Sequence, residues 1–263
     1  FCRNGKRISV GDTKVRFSIQ SISKIITLAV ALEICGFDQV FKKVGMEPTG
    51  DPFNSLMKLE NTDSSPYNPM INAGAIVVAS CLASEISFDT MLDTIRALCM
   101  DPDINLDKKV YHSEMSHISR NRAIAYLLES KGYIEKNKDV ENSLHFYVKM
   151  CSLSVTAESL AGLGLILAND GIHPDTGKRL LSSQAVKIVK TLMFTCGMYD
   201  GSGEFAVRVG IPSKSGVGGG IMAVVPTRMG IGIFSPALDE KGNGYAGIML
   251  LQKLSEQLFL SIF

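Results

Sequence analysis

The sequence predicts an α+β fold in which an antiparallel sheet, built from both chain ends and flanked by helices, carries an inserted helical lobe. Three observations lead there. Helical periodicity dominates from Ser21 to Met193. From Glu204 the period shortens to that of strands, and the last segment, Tyr245 to Leu260, returns to helix. Phe1-Cys2-Arg3 before Asn4-Gly5 reads as a strand entering a tight hairpin turn, with Lys6 to Val10 as the return.

Taken in order, the first helix opens at Ser21 and runs through the apolar stretch Ile25 to Leu32. It is apolar all round, hence buried, and Gly36 suits a left-handed cap at its end. Residues 47–70, with Pro48, Gly50, Pro52, Pro66 and Pro69, form a long irregular connection, a length that usually serves function in a compact domain. Asn72 caps an apolar helix from Ala73 to Ser84. Ser87 precedes an amphipathic helix marked by Phe88, Met91, Leu92, Ile95 and Leu98, and Ser113 starts another that stops at Gly132. Val140, Leu144, Tyr147 and Cys151 give the next stripe. Thr156 caps a helix reaching Asn169-Asp170-Gly171, and Ser182 and Ser183 precede one ending near Gly197. Phe205 to Val209, Gly219 to Val225 and Met229 to Phe234 then read as strands, with turns at Pro212 and Pro226-Thr227. The whole reads as a single domain over 1–263 with an incomplete front strand. Residues 1–20 and 200–263 supply the sheet lobe and C-terminal helix, and 21–199 the mainly helical lobe.

Composition narrows the function. A chain of 263 residues with 46% hydrophobic content can bury a large core. A net charge of +1 gives no electrostatic case for nucleic acid or an anionic membrane, and 7% aromatics without Trp argues against base-stacking platforms. The longest apolar run is far short of the roughly 20 residues that span a bilayer, so a soluble chain is expected. Six scattered cysteines without C-x-x-C read as free thiols of a reducing compartment, the cytoplasm. The four histidines show no metal-binding spacing.

The chemistry is concentrated in short motifs. Ser21-Ile22-Ser23-Lys24 stands directly ahead of the buried apolar run, which puts Ser21 and Lys24 about one turn apart on one helix face. Burial and the positive end of the helix dipole both push a lysine pKa down. A neutral lysine beside a hydroxyl is the base that makes serine nucleophilic. A second tetrad, Ser55-Leu56-Met57-Lys58, runs into a polar stretch and lacks that context. Lys214-Ser215-Gly216 is the only K-[ST]-G, and S-x-x-K followed far downstream by K-[ST]-G is the serine β-lactamase and penicillin-binding-protein arrangement. Gly242-Asn243-Gly244-Tyr245-Ala246-Gly247 matches G-x-G-x-x-G, but no following strand and acidic residue complete a dinucleotide site. Gly216-Val217-Gly218-Gly219-Gly220 is no Walker loop either, because its lysine precedes the glycines. No cofactor is expected.

Four blocks carry a family resemblance: Phe17 to Lys24, Asn68-Pro69-Met70-Ile71-Asn72-Ala73-Gly74-Ala75-Ile76, Tyr199-Asp200-Gly201-Ser202-Gly203, and Lys214 to Gly220. In this order they resemble the serine-dependent glutaminase family over essentially the whole chain. The resemblance implies a β-lactamase/transpeptidase-like fold, hydrolysis of L-glutamine to L-glutamate and ammonia through a covalent glutamyl-serine, no metal, and a homotetramer. It makes Ser21 the nucleophile, Lys24 its base and Tyr199 the proton relay to the leaving amine. The backbone N–H groups of Ser21 and Val217 would form the oxyanion hole, and Asn72, Glu114, Asn121 and Tyr147 would hold the amino acid end, with Glu114 facing its ammonium. The residues alone leave more room. Glu114 and Asn121 share a helix face two turns apart, Tyr147 lies on an apolar stripe, and Tyr199 lies in a glycine-flanked loop. Lys214 reads equally as a site residue or a solvated strand-end lysine. Two features depart from the family: its upstream lid tyrosine is missing here, and no ankyrin repeats follow, as in bacterial-type members. Competing readings are a penicillin-recognising acyl-serine hydrolase, with Ser119-Arg120-Asn121 as its middle S-x-N element, and a non-catalytic glutamine-binding protein.

Overall fold

Two helices with no polar face form the centre of the molecule. In the structure, a computed structural model that describes residues 1–49, 65–136 and 139–263, α1 (Ser23–Ile34) is buried from Ser23 to Leu32. After the short α2 (Phe37–Phe41), α3 (Asn72–Ala83) is buried from Asn72 to Leu82 and packs on α1. Side chains that are apolar on every side leave no face for water, so both helices sit inside. Amphipathic helices surround them: α4 (Phe88–Cys99), α5 (Lys108–Ser116), α6 (Ser119–Ser130) and α7 (Val140–Cys151). The helices α8 (Ala157–Ala168) and α9 (Ser183–Cys196) follow.

The main sheet comprises β4 (Ser213–Ser215), β5 (Gly220–Val225) and β6 (Met229–Phe234), antiparallel in that order, with Lys214 opposite Met222 and Ile221 opposite Ile233. The chain start joins its edge: Cys2 bridges Met229, and the Gly230 N–H donates to the Phe1 carbonyl at 2.9 Å. Strand alternation divides two cores. Met222 and Val224 face the large helical core, while Ile221, Ala223 and Val225 face a smaller one built with Phe205, Val209 and Leu251. Helix α8 covers the first face and α11 (Tyr245–Leu258) the second. Helix α8 lies so close that a Cβ on Gly232 would fall on the Ala157 carbonyl oxygen.

Several expectations are corrected. Phe205 to Val209 is not a strand but part of α10 (Ser202–Arg208) and its cap. Phe205 and Val209, four apart, share the buried face, Val207 is exposed, and Glu204 accepts from Arg208 one turn on, all helical signals. The predicted helix from Ser113 to Gly132 is two helices, α5 and α6, broken at His117-Ile118. Gly36 has positive φ, but at ψ 160° it begins α2 rather than capping α1, which ends on Cys35. At the chain start the turn is present, with Cys2 N–H donating to the Lys6 carbonyl at 2.9 Å, but Lys6 to Val10 form no strand.

A second sheet was not predicted: β1 (Phe17–Ser18), β3 (Leu153–Val155) and β2 (Asn105–Leu106), antiparallel in that order. Strands of two or three residues are too short to show a period. Among the described residues no single helix is long and apolar enough to cross a membrane.

The α8–sheet contact generates a stability test. Gly232→Ala must push backbone against backbone and is expected to lower the unfolding free energy by about 1–3 kcal/mol or more. Gly203→Ala, on the open side of α10 where a Cβ meets nothing within 4 Å, is expected to raise it by about 0.5–1 kcal/mol. Chemical denaturation of both variants reads the contrast; equal effects would contradict the packing described.

Candidate active site

The chain reaches the site through the small sheet. Ile19 N–H donates to the Leu153 carbonyl at 2.8 Å. Gln20 then turns at φ 49°, a conformation rare outside glycine, into a 3₁₀ turn, Gln20–Ile22, that precedes α1. Ser21 is therefore presented by this turn rather than capping the helix. Ser23 pins the turn by donating its hydroxyl to the Gln20 carbonyl at 2.7 Å.

Lys24, on the first turn of α1, is 2% exposed. Its Nζ donates to Asn72 Oδ1 at 2.8 Å and to the Met70 carbonyl at 3.1 Å. Burial lowers its pKa to about 8, although Cys151 nearby pulls the other way. The expected cap role of Asn72 does not hold: it is the first helical residue of α3, without a side-chain cap bond. Ahead of the helix Asn68 forms a turn, accepting the Met70 and Ile71 N–H groups at 3.0 and 3.3 Å. Asn72 instead accepts from Lys24 with its oxygen and donates through Nδ2 to Asn121 Oδ1 at 3.1 Å.

Lys214 is no solvated strand-end residue. It is fully buried on β4, donates to the Ser215 carbonyl at 2.6 Å and lies 4.5 Å from the centre of the Tyr199 ring. Burial, with repulsion from Lys24, puts its pKa well below the ordinary lysine range. Tyr199 sits in a second 3₁₀ turn, Tyr199–Gly201, also with positive φ, at 53°. Burial pushes its phenol up to about 12, although the Ser21 hydroxyl and the Val217 backbone lie against it and draw it down. The glycine of Lys214-Ser215-Gly216 allows this approach, since a Cβ on Gly216 would stand 2.8 Å from the Ile19 carbonyl and 3.4 Å from Ser21 N.

The remaining sequence candidates gather around this centre from separate elements. Glu114 on α5 accepts from Gln20 Nε2 at 3.0 Å. Asn121 on α6 reaches Asn72, so these two do not share one continuous helix face. Tyr147 on α7 is buried, and its phenol is raised well above the ordinary tyrosine value by burial, with Cys151, Tyr199 and Glu114 adding to the effect. Ser21, Lys24, Asn72, Glu114, Asn121, Tyr147, Tyr199 and the Val217 backbone thus form one connected cluster. A recess of about 480 Å³, its open mouth included, lies beside Tyr199, bounded also by Pro48, Thr49, Asn68, Met70 and Cys196.

Sequence reasoning missed Gln20, Ser23, Asn68 and Cys151 as parts of the site. Cys151 Sγ lies 3.7 Å from Ser23 Oγ and close enough to Lys24 to alter its titration. Gln20 and Asn68 fall inside the blocks that carry the family resemblance, which is the one signal that marked them. The second tetrad, Ser55 to Lys58, lies outside the described residues. Gly242-Asn243-Gly244 forms a turn at the foot of α11, with Gly242 at φ 88° and Asp239 Oδ1 accepting two N–H groups. Among the described residues no group of three or more His, Cys, Asp and Glu side chains is placed to hold a metal.

The buried Lys214 yields a pH test of stability. A lysine whose pKa is depressed by folding destabilises the native state most at acid pH, and the penalty fades as pH rises toward the unfolded value near 10.5. Lys214→Met keeps the volume and removes the charge. The stability of the variant relative to wild type is expected to be greatest at acid pH and to decline steadily as pH rises. A pH-independent difference would show that Lys214 is not titrating in the fold.

Comparison with known proteins agrees with this geometry. The profile of the Glutaminase family matches residues 1–263. Glutaminase 2 of Clostridium perfringens is 51% identical over 264 residues, covering 99% of this chain and 86% of that protein. A glutaminase of Clostridium botulinum is 53% identical over 263 residues, covering 98% of this chain and 86% of that protein. The crystal structure of a Bacillus glutaminase superposes with a TM-score of 0.94 at 42% identity, covering all of this chain and 91% of that one. A probable glutaminase from Bacillus subtilis complexed with 6-diazo-5-oxo-L-norleucine superposes with a TM-score of 0.89 at 38% identity, covering all of this chain and 84% of that one. The mixed helix and antiparallel-sheet architecture is theirs, the β-lactamase-like fold. This chain belongs to the glutaminase family.

Proposed function

We propose that this chain hydrolyses L-glutamine to L-glutamate and ammonia through a glutamyl-serine ester on Ser21. The observation that carries the reading is Lys24. It is buried one turn from a serine, its pKa is drawn to about 8, and two oxygen acceptors hold its nitrogen.

Ser21 Oγ attacks the side-chain amide carbon while its proton passes to Lys24. The oxygen that becomes anionic is received by the Ser21 and Val217 backbone N–H groups, a contribution of about 3–4 kcal/mol per donor in comparable sites. Collapse breaks the C–N bond, and the nitrogen leaves as ammonia after taking a proton relayed through Tyr199. That phenol, pushed up to about 12, holds its proton until it is needed. Water then attacks the ester, returns a proton to the dyad and releases glutamate. Asn72, Asn121 and Tyr147 hold the amino acid end, and Glu114, held by Gln20, faces its ammonium. In this reading the sheet lobe of 1–20 and 200–263 brings Tyr199's neighbours Lys214 and Val217 to the helical lobe of 21–199, which carries the nucleophile. The six free thiols favour a cytoplasmic enzyme. The family resemblance favours a homotetramer, whose mass light scattering would read.

Measurements on the nucleophile, the base and the ammonium partner test the mechanism. A diazoketone analogue of glutamine is expected to add its mass to Ser21, and Ser21→Ala to lose activity by about 10⁴-fold or more; labelling on a cysteine would overturn the assignment. Because the active base is the neutral amine, kcat/KM should rise as pH rises through about 8. Lys24→Arg should be nearly inactive, since a guanidinium does not deprotonate in this range; substantial activity in that variant would refute the base role. Glu114→Gln should lose about 2–5 kcal/mol of discrimination between glutamine and amides lacking the α-amino group. Unchanged discrimination would place the ammonium elsewhere.

A further inference from the structure

The helix that carries Glu114 is lightly held. None of the residues of α5 is buried, whereas α1 and α3 are buried along most of their length. Only Tyr111 and Met115 pack partly against the core. The start of the helix is fixed. Asp107 N–H donates to the Ser152 carbonyl at 2.9 Å, and Asp107 Oδ1 accepts from the Lys109 and Val110 N–H groups. Past that cap, among the described residues, two side-chain hydrogen bonds tie the helix to the rest of the molecule. Glu114 accepts from Gln20 at 3.0 Å, and the Tyr111 phenol shares a bond of 2.6 Å with His145 Nδ1 on α7. Elements with few buried contacts open at low free-energy cost, so each of these bonds bears on where Glu114 stands.

The second bond is placed to matter. Tyr111 and Glu114 are three apart, which makes them neighbours on the helix surface. His145 stands two residues before Tyr147 on α7. The bond therefore joins the helix of the ammonium partner to the helix of a second residue that holds the amino acid end. Neither Tyr111 nor His145 belongs to the cluster around Lys24. Either partner can be the donor, the phenol to a bare Nδ1 or an Nδ1–H to the phenol oxygen, so the bond needs no single tautomer.

We propose that Tyr111 and His145 are positioning residues for specificity: their hydrogen bond clasps α5 to α7 and holds Glu114 where the ammonium of an α-amino acid is received. The proposal rests on the placement of Glu114 in the reading above. Without the clasp, α5 must be ordered anew each time a ligand engages Glu114. The cost therefore falls on binding rather than on kcat, and only on ligands that carry the ammonium.

The test titrates the full chain with L-glutamate and with glutarate, the same dicarboxylate without its α-amino group, by calorimetry. Tyr111→Phe keeps the ring and removes the bond, and it is expected to weaken L-glutamate at least about threefold while leaving glutarate unchanged. His145→Ala should do the same, and the double variant should be no worse than the more affected single one. His145→Asn, whose amide can offer either an oxygen or an N–H near the place of Nδ1, should return L-glutamate affinity to within about twofold of wild type. In glutamine turnover Tyr111→Phe should raise KM and leave kcat in place. Unchanged L-glutamate affinity in Tyr111→Phe would overturn the proposal. So would an equal loss for glutarate, or additive losses in the double variant, since either would make the two residues general supports of the fold. A wild type that binds no L-glutamate would overturn the clasp together with the hydrolytic reading. One that binds L-glutamate but releases no ammonia from glutamine would overturn that reading alone, and the affinities would still decide the clasp.

Discussion

Lys24 places an ammonium where water cannot follow it, and much of the molecule is arranged around that constraint. The drop from an ordinary lysine value to about 8 corresponds to about 3 kcal/mol against the charged form. Two helices without a polar face create the dry surroundings, α1 carrying the lysine and α3 meeting it at its own first residue. Asn72 Oδ1, at the start of α3, and the Met70 carbonyl, two residues ahead of it, accept from that nitrogen. Asn68 fixes the turn ahead of α3 by accepting the Met70 and Ile71 N–H groups. The lysine's cost to stability is fully present below about pH 8 and fades as pH rises toward 10.5.

The same centre stores strain. Gln20 and Tyr199, on either side of Ser21, both hold left-handed backbone without being glycine. Such residues persist only when their surroundings over-determine them, and they gather at functional sites. Here the surroundings are identifiable. Ser23 holds the Gln20 carbonyl, Gln20 in turn holds Glu114, and Ser202 donates to the Tyr199 carbonyl at 2.8 Å. Lys214 lies over the Tyr199 ring from the sheet side. Ser21 and the Tyr199 phenol are thus set by two independent turns, one ahead of the helical core and one beside the sheet. The small second sheet matters for this reason, because it anchors the residue directly before the Gln20 turn.

Long periodic segments were legible in the sequence, and short or context-dependent ones were not. The buried helices, the Ser87, Thr156 and Ser182 caps and the last two strands follow from pattern and capping chemistry. Phe205, Val207 and Val209 fit a strand by alternation, and only the spacing of Glu204 and Arg208 spoke for helix. The break at His117-Ile118 has no Gly or Pro to mark it. In the site, Ser21 and Lys24 could be read from local chemistry, since burial and spacing are visible in the chain itself. Glu114, Asn121 and Tyr147 could not. They come from three different helices, and their convergence is a property of packing that only the family resemblance anticipated.

The central claim is that burial makes Lys24 a base near neutral pH, and direct titration of its side-chain nitrogen tests it most closely. Nuclear magnetic resonance of the ¹⁵N-lysine-labelled chain, with Lys24→Arg used to assign the signal, follows that one group without reference to turnover. The account predicts a midpoint near 8. A midpoint at the ordinary lysine value near 10.5 would contradict it.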